Sequence, residues 1–247
     1  MQLHMLVHQS QGNRTRNAFT LIELLVVIVV IGVIIAIAAP GLVGTMGGMR
    51  VSQAGEMIAG EVSAAQAAAQ SINRPIEVRF YKVPSVEDDL NGTAGGSYRG
   101  ILLLEYYHTG EVDPRTIISG GGGAPVFLST PLAVVRKPIS VLPNGVVISE
   151  QQQLSSLFSA GASSTSSSQA SIPTIVRRGT GFEPYDLPSS EYHSLVIYPD
   201  STNLNSAGQW FVTVVPEGDL QKAPADLVNF FTVQIDPVNS RLSLYRP

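Results

Sequence analysis

The sequence predicts an α+β protein: a long N-terminal α-helix followed by an antiparallel β-rich domain. Three observations carry that prediction. Residues 19–39 are an apolar run broken by one charge. Residues 51–72 repeat apolar side chains at steps of three and four. After residue 75 the period drops to two, and strand follows strand with no helix between.

Phe19–Ala39 is 21 residues long, and Glu23 is its only charge. As a helix this run matches the ~30 Å hydrocarbon core of a bilayer. Arg14 and Arg16 lie just before it, and no Asp or Glu precedes Glu23. The positive-inside rule then places residues 1–18 in the cytoplasm and the body on the opposite side. Hydropathy alone also fits a secretory signal peptide or a plain anchor. The run is longer than the apolar region of an ordinary signal, although Ala36–Ala39 imitates a small-residue cleavage site. Glu23 argues against both. A carboxylate in hydrocarbon costs about 2.5–3.5 kcal/mol on insertion scales, so such residues have a partner or a task.

Pro40, Gly41, Gly44, Gly47 and Gly48 come next and predict a kinked or partly melted stretch at 40–48, with a straight, continuing helix as the alternative. An amphipathic stalk helix follows, so that 40–73 forms the second half of the helical region. Val51, Ala54, Ile58, Val62, Ala65, Ala69 and Ile72 fall on one face. Ser52, Gln53, Glu56, Glu61, Gln66 and Gln70 fall on the other. Small residues dominate the apolar face, which suits close packing on a sheet. A coiled coil is the alternative, but Ala is abundant and Leu is absent.

Residues 74–247 form the β-rich domain. "PIEVRFYKV" (75–83) alternates Ile76, Val78 and Phe80 with Glu77, Arg79 and Tyr81, a half-buried strand. "YRGILLLEYYH" (98–108) is a second strand. Residues 131–149 read as two short strands around turns, with Asn144-Gly145 a turn signal. Residues 156–171 are Ser/Ala-rich and of low complexity, a loop. Residues 192–200, 209–216, 229–236 and 241–247 are four more strands, the last two a hairpin.

Composition narrows the function classes. The formal net charge is −4, and without residues 1–18 it is 13 basic against 19 acidic side chains. That balance makes nucleic acid a poor partner. The absence of cysteine excludes disulfides, thiolate metal sites, cysteine nucleophiles and a lipoprotein anchor. His4 and His8 precede the apolar run, and His108 and His193 stand alone at strand ends. Gly120–Gly123 lacks the Lys-Ser/Thr of a phosphate loop. Glu87, Asp88 and Asp89 lack an EF-hand ligand pattern. Arg177-Arg178 and Arg241/Arg246 are the only hints of a nucleic-acid contact, with no aromatic interleaving. No Ser/His/Asp spacing or GxSxG stands out. The expectation is a protein that is not an enzyme and takes no cofactor or metal.

"AFTLIELLVV" (18–27) resembles the processing site of type IV prepilins and type II secretion pseudopilins. The resemblance implies cleavage by a prepilin peptidase between Ala18 and Phe19, loss of leader 1–18, and N-methylation of Phe19. It implies that Glu23 is the assembly acid, pairing with the N-terminal amine of a neighbouring pilin or pseudopilin subunit. Gly32 and Pro40 fall where pilins carry a glycine and a helix-loosening proline. The family usually has Gly before the cut, where this chain has Ala18.

The body adds a second resemblance. "AQAAAQSINRPIEVRF", "VIYPDSTNL" and "VQIDPVNSRLSLYRP" are similar to H-type minor pseudopilins and FimT-like minor pilins. With "QAGEMIAGEV", "EVRFYKV" and "QWFVTVV" the chain most resembles the Verru_Chthon cassette protein D family. Two turns depart from the pattern: Asp200-Ser201 lacks the glycine usual after that aspartate, and Asn239-Ser240-Arg241 replaces a Thr-Gly-Arg turn. These resemblances imply a minor pilin-like subunit. It would sit in the bacterial inner membrane with the body periplasmic, and enter a type IV pilus-like or type II secretion-like filament. The alternative is a pilin-like anchored module that captures DNA or an exported protein at a filament tip.

Overall fold

The computed structural model describes residues 20–84, 96–118, 124–158, 174–177, 186–187, 191–202 and 210–247, with backbone alone at 38–45 and 174. The chain divides into two units, Met1–Thr45 and Met46–Pro247.

Helix α1 covers Leu21–Ile72. In the first unit every described side chain from Leu21 to Ile37 is exposed. Among the described residues no helix is long and apolar enough to cross a membrane. The expected spanning segment over 19–39 is thus not shown by the described residues, although Glu23 is the one charge among the described side chains from Leu21 to Ile37. The expected melting at 40–48 is corrected, because the helical backbone runs through Pro40 and the four glycines that follow.

In the second unit the face of α1 read from the sequence is the buried one. Val51, Ala54, Ile58, Val62, Ala65 and Ala69 are inaccessible to solvent or nearly so. They pack on residues of two sheets in one core. Gly55 is required at its place, since a Cβ there would lie 2.0 Å from Phe231 Cδ1.

The strands among the described residues are β1 (Ile76–Val83), β2 (Ser97–Tyr107), β3 (Leu132–Val135), β4 (Ser140–Val141), β5 (Val146–Ile148), β6 (Thr174–Arg177), β7 (Tyr192–Ile197), β8 (Trp210–Pro216), β9 (Phe231–Ile235) and β10 (Leu242–Tyr245). A short helix α2 (Pro114–Ile118) lies between β2 and β3. The first sheet runs β6-β3-β2-β1-β7, with β4 also on β2, and the second runs β10-β9-β8-β5. The pairs are antiparallel with one exception: β3 and β6 are parallel. The expected all-antiparallel body is therefore corrected to a mixed one. Thirty-eight residues separate β3 from β6, ample for the crossover that a parallel pair needs.

Strand β1 is a central strand and not half-buried. Ile76, Val78 and Phe80 enter the core under α1. Glu77, Arg79 and Tyr81 on its opposite face are buried too. They lie on the side of a second cluster built from Tyr81, Leu102, Leu104, Ala133, Val135, Ile175 and Tyr192. Residues 131–149 hold three strands rather than two, because Ser140 and Val141 pair with Ile101 and Gly100. Most of the 156–171 loop lies outside the described residues. Its start is a 3₁₀ turn, Ser156–Phe158, that buries Leu157 and Phe158.

Candidate processing and assembly site

The site begins where the apolar helix begins. Thr20 precedes α1, and its carbonyl accepts the first helical hydrogen bond from Leu24 N at 3.2 Å. The Thr20 hydroxyl accepts a hydrogen bond from Glu23 N at 3.3 Å. In return the Glu23 carboxylate accepts from Thr20 N and from Thr20 Oγ1, each at 2.8 Å on Oε2. This is a capping box, Thr-x-x-Glu, which satisfies two N–H groups that a helix start leaves without partners. The sequence signal was present in Thr20-Leu21-Ile22-Glu23, but the capping role of Thr20 was missed in favour of the carboxylate's charge.

The geometry gives Glu23 a local reason to exist. It sits in the first turn of α1, where the helix dipole favours a negative group. Both of these contacts use Oε2, and among the described residues Oε1 has no partner. A cation from outside the chain would find one carboxylate oxygen held and the other open.

The other predicted site residues fall as follows. Ala18 and Phe19 lie outside the described residues. Gly32 lies within α1, and a Cβ added there would meet nothing within 4 Å. Nothing among the described residues therefore requires a glycine at that position. Pro40 is in the helical backbone of α1. His4, His8, Glu87, Asp88, Asp89, Gly120–Gly123 and Arg178 lie outside the described residues.

Two placements in the body differ from expectation. His193 is not an exposed strand-end residue. It packs 4.4 Å from the Phe158 ring and 5.1 Å from Tyr98, and burial pushes its pKa below the ordinary histidine value. His108 is exposed, and its backbone N–H donates to Glu111 Oε2 at 3.1 Å. Arg79 is 1% exposed, and its Nη2 lies 2.9 Å from Glu77 Oε2. Arg79 also donates to the Tyr81 and Tyr106 hydroxyls at 3.2 Å each, and lies 4.1 Å over the Tyr192 ring. Burial raises the phenol pKa of all three tyrosines. The two Nη atoms of Arg79 are thus engaged within the cluster, while Arg79 Nε and Glu77 Oε2 are buried without a hydrogen-bond partner among the described residues.

Comparison with known proteins bears on the N-terminal site alone. Residues 13–39 match the family model of the prokaryotic N-terminal methylation motif. The match supports a prepilin-type N-terminus, whose implied fate is peptidase processing, membrane anchoring and assembly with other pilins. It covers 27 of 247 residues and does not reach the body. No curated protein and no solved structure matches the chain.

Proposed function

We propose that the chain is a minor pilin- or pseudopilin-like structural subunit and not an enzyme. A prepilin peptidase cuts it between Ala18 and Phe19 and the new N-terminus is methylated. The segment 19–39 is held in the inner membrane, with the body on the periplasmic side, until the subunit enters a type IV pilus-like or type II secretion-like filament. The body's kinship lies with H-type minor pseudopilins, FimT-like minor pilins and the Verru_Chthon cassette protein D family.

One observation carries this reading: a helix whose side chains from Leu21 to Ile37 are all exposed begins on a capped glutamate, within a matched methylation motif. Such a surface is stable only in lipid or among other apolar helices. Glu23 would be an expense in either setting unless paired. A methylated amine at Phe19 of a neighbouring subunit supplies the counter-charge, and pairing two isolated charges recovers part of their desolvation cost. The exposed face of the body's half of α1 is small over its middle, with Gly60, Ser63, Ala64 and Ala67 outward between Glu56 and Gln70, which admits close approach of another helix there.

Intact-mass and N-terminal peptide mass spectrometry on membrane-fraction protein tests the reading. Cells with a prepilin peptidase should yield a chain starting at methylated Phe19. A start near residue 40 would indicate an ordinary secreted protein and end the proposal. Glu23→Ala should leave the protein in the membrane and stop its incorporation into filaments; normal incorporation would remove the assembly role of Glu23.

A further inference from the structure

Twelve lysines and arginines lie among the described residues, and eight of them pair with an acid. Arg50, Arg177, Arg241 and Arg246 have no acid partner among the described residues. Two of these four are near one turn of α1: Arg50 stands two residues after Gly48, and Arg246 reaches Gly48 from β10's end of the chain. A Cβ added at Gly48 would lie 3.7 Å from Arg246 Nη2, and one added at Gly145 would lie 3.8 Å from Arg50 Nη1. The same Gly48 position is 3.9 Å from Asn229 Nδ2, which brings the 226–229 segment to this spot. Exposed apolar side chains belong to the same segments: Met46 and Met49 on α1, Val228 beside Asn229, and Tyr245 beside Arg246. The acids on these segments are Asp226, which is exposed, and Glu217, whose carboxylate is held by Arg99 Nη2 at 2.7 Å.

We propose that this patch of Arg50, Arg246, Met46, Met49, Val228 and Tyr245 rests on an anionic phospholipid surface. The proposal rests on the membrane reading above and deepens it by naming the lipid chemistry that the body touches. Three observations favour lipid over another occupant. Met46, where the body begins, follows the apolar run that ends at Ala39 by only seven residues, so chain connectivity keeps Met46 within that reach of the run. The composition is that of an interfacial segment, with guanidinium groups that bind phosphate bidentately beside thioether, aliphatic and tyrosine side chains. Charge also selects the orientation. Residues 46–247 hold 13 basic and 18 acidic side chains, so the body as a whole is repelled by an anionic leaflet and only a local basic patch is drawn to it. Each basic residue near an anionic surface biases docking about fivefold, so the pair gives roughly thirtyfold.

The chain has no cysteine, so Val228→Cys takes a single label. The full-length protein, carrying an environment-sensitive fluorophore there, is reconstituted into vesicles of phosphatidylcholine alone or with about 30% phosphatidylglycerol. Flotation with the vesicles is read first. Protein that does not float has no membrane-held segment, and that result overturns the proposed function together with this inference. For protein that floats, the expected result is blue-shifted emission and quenching by spin-labelled lipid only when phosphatidylglycerol is present. Both signals should fall by about tenfold or more in docked fraction in Arg50→Glu/Arg246→Glu, and in about 1 M salt, where the screening length is ~3 Å. Both arginines are exposed, and unchanged far-ultraviolet circular dichroism confirms that the double variant folds. Water-like emission in every vesicle overturns lipid docking while leaving the membrane reading intact. Unchanged emission in the double variant, with loss of filament incorporation, assigns the patch to a subunit contact and overturns it equally.

Discussion

Gly55 and Gly60 lie five residues apart on α1 and should respond in opposite directions to the same substitution. A Cβ at Gly60 meets nothing within 4 Å, whereas one at Gly55 falls 2.0 Å from Phe231 Cδ1 and 2.3 Å from its Cγ. Replacing glycine by alanine inside a helix contributes about 0.8–1.0 kcal/mol. Gly60→Ala collects that gain whole. Gly55→Ala collects it and must also separate the helix from β9, because carbon atoms pack no closer than ~3.5 Å. The atoms met first include the root of the ring, so rotating the far end of the side chain does not relieve the clash. Phe231 is itself buried in the main core. Overpacking of this kind costs about 1–3 kcal/mol, and a gap of roughly 1.5 Å belongs at the upper end of that range. The expected outcome is a gain of about 1 kcal/mol for Gly60→Ala and a loss of about 2 kcal/mol for Gly55→Ala. Trp210, the one tryptophan, is buried in the same core and reports unfolding of the full chain in detergent by its fluorescence. Guanidinium midpoints for the two variants should move apart. Phe231→Leu should recover part of the loss in the Gly55→Ala background and none in the Gly60→Ala background, a coupling that a double-mutant cycle measures. If Gly55→Ala stabilises the protein as Gly60→Ala does, Phe231 does not pack against this turn of α1.

Arg79→Met should destabilise by about 3–5 kcal/mol, because it strands the buried Glu77 carboxylate; Glu77→Gln/Arg79→Met should recover most of that in the same unfolding assay. His193 sets a pH dependence. Burial lowers its folded pKa below 6.5, so between the folded and unfolded values the unfolded chain binds more protons. Stability is fully present above about pH 6.5 and falls as pH drops through the folded pKa, and His193→Phe should flatten that slope in unfolding midpoints taken from pH 7.5 to 5. Ser201 and Ser240 both adopt positive φ, at 67° and 52°. Ser201→Gly relieves about 1 kcal/mol of left-handed strain and loses only an exposed bond from Gln70, so it should stabilise. Ser240→Gly gains the same relief but removes the buried donor to Ser201 O at 2.6 Å, so calorimetry should find it neutral or destabilised.

The elements legible in the sequence are those whose partners are local. The apolar face of α1 could be read from Val51 to Ala69 because helical period alone fixes it, and the β9–β10 hairpin because its two runs are neighbours in the chain. Strand β1 was read as half-buried because its alternation is real and its surroundings are remote. Tyr106 and Tyr192 satisfy Arg79 from positions 27 and 113 residues away, and no local pattern announces that a charged face will be covered. Strand β6 was missed because Thr174–Arg177 is four residues beside a Ser-rich run, and it becomes a strand only by lying parallel to β3. The missing glycines at 201 and 240 were visible as departures in turn chemistry. Their consequence was not visible, because it depends on two distant turns meeting at α1. There Gln66 Nε2 donates to Ser240 O at 2.7 Å and Gln70 Nε2 to Ser201 Oγ at 2.7 Å.

Glu23 presents the reverse situation, a residue whose charge drew notice and whose hydrogen bonds explain its position. A carboxylate in the middle of the apolar run would face a helix whose N–H groups are all engaged by the backbone, and its desolvation would go uncompensated. In the first turn those N–H groups have no helical partner, and Thr20 delivers its own N–H and hydroxyl to one carboxylate oxygen. The cost of keeping a negative charge in apolar surroundings is thereby met in part within the chain, before any partner arrives. The remaining oxygen keeps the capacity to accept a cation, and a cation placed there does not have to displace the cap. Thr20→Val separates these two contributions. It removes the hydroxyl while keeping shape and leaves the Thr20 backbone N–H bond in place. An assembly role that needs Glu23 pre-positioned predicts slower incorporation of Thr20→Val into filaments with normal processing at Phe19. Incorporation at the wild-type rate would mean that the charge alone matters and that the cap serves only the helix.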